Sequence, residues 1–414
     1  MRTTTCVVAG GGPAGMMLGL LLARAGVEVT VLEKHADFLR DFRGDTVHAS
    51  TVRLLDQLGL GEEFRALPQS RLQNFELPQP DGSVLTVGDF HRLAPPYDYV
   101  AMVPQWDLLN LLAEAGRAEP AFTLLMSTAA VDLLTDGDRV TGVRTRTADG
   151  VEDELRADLV VACDGRGSVL RAAAGLVPHE YPVPFDTWWF RLPRHASERG
   201  QRAALVPRVG RRELLLSFPR PDYFQVAYFN RKGVDATLRA EGVERFRQRV
   251  AALEPDFADR VDSLTSTDEL HMLDVKLNRL RRWHRDGLLL IGDAAHAMSP
   301  AGGVGINLAV QDAVAAATLL ADPLREHRLT EADLARVQSR RWWPTVAVQQ
   351  VQRVLHRALF VPALAGSRPR ALGVVSAVVR RWPQLSRVPA QLVAFGPRPE
   401  QAPAFARRQP VASR

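Results

Sequence analysis

The run Gly10-Gly11-Gly12-Pro13-Ala14-Gly15 limits what this chain can fold into more than any other feature. It stands between an apolar stretch at residues 4–8 and an apolar, helix-forming stretch at residues 16–25. Residues 27–33 then alternate as a second strand that ends on Glu33, so the segment reads as a βαβ unit with a GxGxxG turn. Glycines in such a turn let the backbone approach a pyrophosphate, and the helix N-terminus stabilises the phosphate charge. A carboxylate at the end of the second strand accepts hydrogen bonds from a ribose hydroxyl. The arrangement predicts a dinucleotide site made by Gly10, Gly12, Pro13, Ala14, Gly15 and Glu33, with Lys34 directly after the acid. Such a site serves NAD and FAD alike.

A unit of this kind needs a larger body around it. The chain has 414 residues, 46% of them hydrophobic and 24% charged, enough for two or three domains whose cores need no disulfide or metal. Cys6 and Cys163 each lie in an apolar run, and there is no CxxC or zinc spacing. No metal site is therefore expected, and a reducing, cytoplasmic setting is. Residues 1–5 lack a basic leader segment, so export is not expected, and no apolar stretch reaches the roughly 18 residues of a membrane span. The net charge of +5 rests on arginines scattered along the chain, with Lys34, Lys232 and Lys276 the only lysines. No basic stripe with interleaved aromatics forms, so no nucleic-acid partner is expected.

Further along, a loop at residues 38–46 leads to a helix that begins near Ser50 and stops at Gly59. Residues 72–99 carry prolines, an Asp81-Gly82 turn and alternating apolar positions, which predict β-structure. A helix at 105–115 precedes three short strands in 122–157, expected as a small antiparallel meander. Residues 159–163 then read as a buried parallel strand ending at Asp164-Gly165. Strands at 187–192, 203–209, 213–218 and 225–229, with one helix at 237–253, describe an inserted sheet, and a last strand at 287–291 closes on Gly292-Asp293. From Glu331 the chain is helical, with Val348, Val351, Leu355 and Leu359 on one face. Residues 371–395 suit helices that cover a pocket entrance, and membrane contact is not expected. The expected fold is α/β. A Rossmann-like domain of residues 1–70, 97–180 and 274–330 combines a parallel sheet with the meander. It carries an inserted, β-sheet-rich substrate domain of residues 71–96 and 181–273 and a C-terminal helical segment, 331–414.

Two more motifs end apolar strands: Asp164-Gly165-Arg166-Gly167-Ser168, and Gly292-Asp293-Ala294-Ala295-His296 with Pro300 to Asn307 after it. With the first glycine run, their order and spacing over about residues 4–320 resemble the class A flavin-dependent aromatic hydroxylases, the para-hydroxybenzoate hydroxylase-like family. The resemblance implies FAD, with its ADP half on Gly10 to Gly15 and Glu33, Asp164 linked to both FAD and NAD(P)H, and Asp293 on the ribityl chain. It further implies Arg43 in a loop that meets the flavin, and Gln105 near the ribityl and phosphates. Pro300 falls beside the flavin C4a position, and Gly305, Ile306 and Asn307 at the pyrimidine end. By the same resemblance NADPH or NADH, binding without a domain of its own, reduces FAD, and O2 forms a C4a-hydroperoxide. An aromatic or related electron-rich small molecule is then hydroxylated; the abundance of arginine favours NADPH.

Substrate contacts are expected from Trp188, Phe190, Phe218 and Tyr228 on the inserted sheet, although aromatics on alternating strands also serve as core. Pro300 and His48 are the catalytic candidates, and His48 fits either a base or substrate-orienting group, or a helix-capping or solvated histidine. His296 is expected to be structural and Cys163 a small buried apolar residue. Arg166 and Arg171 suit nucleotide phosphates and neighbouring carboxylates equally well. A flavin-dependent halogenase would need a lysine at the flavin and a WxWxIP pattern, and neither is present. A flavin reductase or dehydrogenase of an isoprenoid or quinone-like substrate, and a flavin-binding protein without turnover, remain as alternatives.

Overall fold

A computed structural model describes residues 2–39, 46–79, 83–198, 203–367 and 369–408. Its organising strand is Arg2–Ala9, polar and exposed at its start and fully buried over its last four residues. It pairs in parallel with Val29–Leu32 on one side and Glu152–Ala162 on the other. Phe122–Leu125 extends the sheet on the first side, and Leu288–Leu290 and His284–Arg285 extend it on the second. The parallel strands end together, so Gly10, Glu33, Cys163-Asp164 and Ile291-Gly292 emerge along one edge, where open α/β sheets bind ligands. Helices Pro13–Arg24 and Gly305–Arg325 cover one face through Met17, Leu21, Val310 and Val314.

Three expectations change in this region. Phe122–Leu125 is not part of the meander; it pairs in parallel with Val29–Leu32. The meander consists of Thr128–Asp136, Arg139–Thr147 and the first half of Glu152–Ala162, whose second half is itself the buried parallel strand. One strand thus changes from polar to apolar along its length, because its neighbour changes from Arg139–Thr147 to Leu288–Leu290. The helix expected at 237–253 is two, Asp235–Ala240 and Gly242–Leu253, broken where Gly242 takes φ +83°.

A five-stranded sheet runs in the order Arg208–Val209, Leu214–Pro219, Tyr223–Arg231, Phe185–Pro193 and His271–Leu273. Its outer face packs Trp188, Phe190, Leu215, Val226 and Tyr228 against Phe246 and Val250 of Gly242–Leu253. A third sheet joins Thr46–Val47, Val100–Met102, Ser70–Pro78, Val84–Asp89 and Ala203–Leu205, and so crosses the positions 70/71 and 96/97 where the sequence suggested breaks. The single strand expected at 203–209 is therefore two short strands in different sheets. The Asp81-Gly82 turn lies outside the described residues.

The C-terminal helix Glu331–Leu355 ends in a π-helical turn, His356–Phe360. Its expected apolar face is incomplete, since Val351 points to solvent while Val348 is buried. Arg387–Phe395 packs beside Ala49–Gln57 and Val84–Asp89 and brings Val393 to the cavity described below. Among the described residues, no helix is long and apolar enough to cross a membrane.

Candidate functional site

A cavity of about 1200 Å³ runs from the carboxyl edge of the parallel sheet to the inner face of the five-stranded sheet. At the first end it is lined by Gly10, Gly12, Pro13, Ala14, Glu33, Lys34 and Gln105. The glycines divide the work. Gly10 has φ +108°, and a Cβ there would stand 2.5 Å from the Cys163 carbonyl oxygen. A Cβ on Gly15 would meet the Gly10 carbonyl oxygen at 1.9 Å, so Gly15 lets helix and strand touch beneath the cavity and does not line it. Gly12 faces open space, with nothing within 4 Å of its added Cβ. Glu33, 1% exposed, is fixed by the Gly11 and His35 N–H groups, each donating to its carboxylate at 3.0 Å.

The other two motifs are stitched together by arginines. Arg166 Nε donates to Asp293 Oδ2 at 2.9 Å, while Arg171 donates to the carbonyls of Ala294 (2.9 Å) and Arg166 (2.6 Å). Asp164 Oδ2 accepts from the Leu170 N–H at 3.2 Å, leaving its buried Oδ1 and Arg166 Nη1 with no partner. Asp164, Arg166 and Asp293 all line the cavity. An open glycine, an orphan carboxylate oxygen and an orphan guanidinium N–H form a cradle that fits a nucleotide with ribose hydroxyls and phosphates.

Beneath the cradle Asp312 is completely buried and accepts from the Gly292 N–H (3.1 Å), His296 Nε2 (2.6 Å) and Arg341 Nε (2.9 Å). Burial pushes its carboxyl up, but His296 and Arg341 outweigh burial and hold it below the usual carboxylate value. His296 thus supports the Gly292-Asp293 turn from below. Asn307 is also turned inward: its Oδ1 accepts from Ser50 Oγ (2.6 Å) and Thr51 Oγ1 (2.9 Å), and it does not reach the cavity that Gly305 and Ile306 line. Arg43 lies outside the described residues.

Pro300 lines the cavity in a loop held from the C-terminal helix. Gln352 Nε2 donates to the carbonyls of Ser299 and Ala301, both at 2.8 Å, and His356 Nε2 meets Ser299 Oγ at 2.9 Å. Burial lowers the His356 pKa to about 4, so its imidazole is neutral at physiological pH. His48 corrects an expectation. Its ring nitrogens face the carbonyl oxygens of Val393 (2.6 Å) and Gly303 (2.8 Å), it is 1% exposed, and burial lowers its pKa. A carbonyl oxygen only accepts, so the neutral imidazole donates from one nitrogen and turns the other toward the second carbonyl; His48 is placed as a strut between Arg387–Phe395 and the Gly303 turn.

At the second end the lining is Trp189, Leu216, Phe218, Arg220, Gln225 and Phe229. Of the four aromatics expected to touch substrate, only Phe218 is there. Trp188, Phe190 and Tyr228 face the other way, with Trp188 Nε1 donating to Asp235 Oδ1 at 2.6 Å and the Tyr228 hydroxyl donating to Glu213. The reason is the two-residue period of a strand: Phe218 pairs with Gln225, whereas Phe190 pairs with Val226, so the four residues cannot share a face.

A model of the FAD binding domain matches residues 2–350. Over 382 residues the chain is 39% identical to the 6-methylpretetramide 4-monooxygenase of Streptomyces rimosus, covering 91% of this chain and 89% of that one. The chain belongs to the FAD-dependent aromatic monooxygenases. It is also 35% identical over 324 residues to a 12-dehydrotetracycline 5-monooxygenase/anhydrotetracycline 6-monooxygenase of Streptomyces rimosus, covering 74% of this chain and 60% of that one. The solved OxyS anhydrotetracycline hydroxylase of the same species superposes with a TM-score of 0.73 at 25% identity, covering 99% of this chain and 80% of that one.

The monooxygenase takes FAD as its cofactor, with NAD(P)H and O2 as co-substrates. Sequence reasoning missed the residues of this monooxygenase that hold the Pro300 loop, Gln352 and His356. The available signal was a set of polar residues spaced three and four apart, Gln349, Gln352 and His356, on the face of the C-terminal helix that includes Val348. Among the described residues no cluster of His, Cys, Asp and Glu suits a metal.

Proposed function

We propose that this monooxygenase hydroxylates a polycyclic aromatic small molecule, with FAD lying in the glycine cradle and the substrate against the inner face of the five-stranded sheet. The observation that carries the reading is the continuity of one cavity from the Gly10–Gly12 turn, past Pro300, to Trp189, Phe218 and Phe229. Bound FAD supplies the reduction and oxygen-activating chemistry. The remaining work falls to the chain. Gly12 leaves room for the pyrophosphate, while Glu33, Asp164 and Asp293 accept from ribose and ribityl hydroxyls. Lys34 and Gln105 flank the phosphates, and the backbone of Gly305 and Ile306 meets the ring edge. Pro300, held by Gln352 and His356, sets the apolar wall beside the reacting carbon. Leu216, Phe218, Phe229 and Leu273 exclude water and orient the rings.

The relatives named as monooxygenases of 6-methylpretetramide and of dehydro- and anhydrotetracycline support a large fused-ring substrate here. The need for NAD(P)H supports a cytoplasmic location, and so do Cys6 and Cys163, which form no disulfide. The test is turnover of FAD-loaded enzyme with NADPH or NADH and a panel of polycyclic phenols under oxygen-18 gas. Substrate-stimulated NAD(P)H consumption with one labelled oxygen in the product is the expected result. A dehydrogenated or reduced product without label moves the reading to a flavin reductase or dehydrogenase, and no turnover with any phenol moves it to a flavin-binding protein.

A further inference from the structure

We propose that Gln225 and Trp189 form a polar pole that holds an oxygenated edge of a linearly fused substrate, a refinement that rests on the monooxygenase reading above. The inner face of the five-stranded sheet is otherwise mostly apolar where it meets the cavity, through Leu216, Phe218 and Phe229, with the buried Arg220 at its margin. Gln225 is 1% exposed. Its Nε2 donates to the Phe190 carbonyl at 3.4 Å, which fixes the orientation of the amide, since a carbonyl can only accept. The other amide atom, Oε1, is buried and has no partner. The Trp189 indole N–H is likewise buried without an acceptor, its ring stacked on Phe218 at 6.0 Å and 29°. Buried polar atoms are almost always hydrogen-bonded. An orphan acceptor and an orphan donor on the same cavity face therefore point to a ligand that offers an O–H or N–H to Gln225 and an oxygen to Trp189.

The register sets the size of that ligand. Trp189 pairs with Ala227 and Gln225 with Arg191, so Trp189 and Gln225 are diagonal neighbours about 7–8 Å apart and can grip one end of a flat molecule. Along the same strand Gln225 and Phe229 are separated by about 13 Å, at roughly 3.3 Å per residue, which matches about three or four linearly fused rings. Phe229 packs in one cluster with Ala301, the neighbour of Pro300. A substrate anchored by its oxygenated edge at Gln225 thus reaches the Pro300 loop with its far ring, and the pole selects which ring is oxidised.

The experiment measures binding of 2,6-dihydroxyanthraquinone and of its dimethyl ether to FAD-loaded protein by calorimetry. The wild type is expected to prefer the dihydroxy compound by roughly 10- to 100-fold, since the ether leaves Gln225 Oε1 unsatisfied. Gln225→Leu brings the two affinities within about 3-fold, and Gln225→Glu, which keeps an acceptor, retains the preference. Trp189→Phe weakens both probes together, because both keep oxygen acceptors. Equal affinities in the wild type, or a preference that survives Gln225→Leu, overturn the proposal. FAD stoichiometry is read on every sample to confirm folding. Oxygen-18 incorporation is scored separately: selective binding without oxygen transfer rejects the monooxygenase reading and leaves the pole standing.

Discussion

The two ends of the cavity are built on different principles. At the nucleotide end the ligand-facing groups are backbone and a few anchored carboxylates, and their positions follow from local spacing: a strand, a glycine turn, a helix. At the sheet end they are side chains on strands far apart in sequence, and whether a residue faces the cavity or the outer helices depends on a register that a one-residue slip would invert.

The largest effect that can break this comparison lies among the glycines. Gly15→Val drives a side chain into the Gly10 carbonyl, so we expect overpacking by about 3 kcal/mol or more and no folded, FAD-loaded protein. Gly12→Leu places its Cβ where nothing lies within 4 Å and should fold with a near-native melt, while FAD titration shows affinity lower by at least about 10-fold, since about 1.4 kcal/mol of lost contact suffices. Unfolding of Gly12→Leu would show that both glycines serve packing alone. Next come the adjacent tryptophans. Trp188→Ala empties the outer core and should cost about 3–5 kcal/mol in urea unfolding with substrate selectivity intact. Trp189→Ala should cost clearly less in stability and raise KM by roughly 10-fold, the loss of about 1.4 kcal/mol of binding.

The C-terminal clamp gives a pH-dependent effect. His356 is held neutral down to about pH 4, whereas in the unfolded chain it takes up a proton near 6.5. Its contribution is therefore complete above about pH 6.5 and lost as pH falls toward 4, a change of about 3 kcal/mol. Thermal melts across that window should slope downward toward acid, and His356→Gln should flatten the slope; equal slopes would mean that the imidazole is not buried as described. Asp312, whose carboxyl lies below its usual value, adds stability that is present above the ordinary carboxylate range and disappears as pH falls below that range toward the lowered folded value, so Asp312→Asn should remove that acid limb. The smallest expected change is in the pH profile of His48→Asn. Loss of a general base costs about 100- to 10,000-fold, whereas a strut costs far less and leaves both limbs of the profile in place.

How much was legible follows the same division. Glu33, Asp164 and Asp293 could be placed at one edge because each ends a strand of a parallel sheet, and parallel strands end together. Trp188, Phe190 and Tyr228 were misplaced because an apolar aromatic looks the same on either face of a sheet buried on both sides. His48 fits a base or a helix cap in the sequence, and only the Val393 and Gly303 carbonyls, distant in sequence, reveal that both ring nitrogens face backbone. The resemblance implies a flavin contact for Asn307, yet Ser50 and Thr51 claim its side chain.

By itself the sequence determined the βαβ turn and a dinucleotide site, and its three motifs carried the resemblance to the family, because those depend on glycines and carboxylates at fixed local spacing next to regular elements. The tertiary structure alone decided which aromatics meet the substrate, which polar atoms there are left unpaired, and that the C-terminal helix grips the Pro300 loop. Those outcomes depend on strand register and on contacts between distant segments, and neither leaves a periodic mark on the chain.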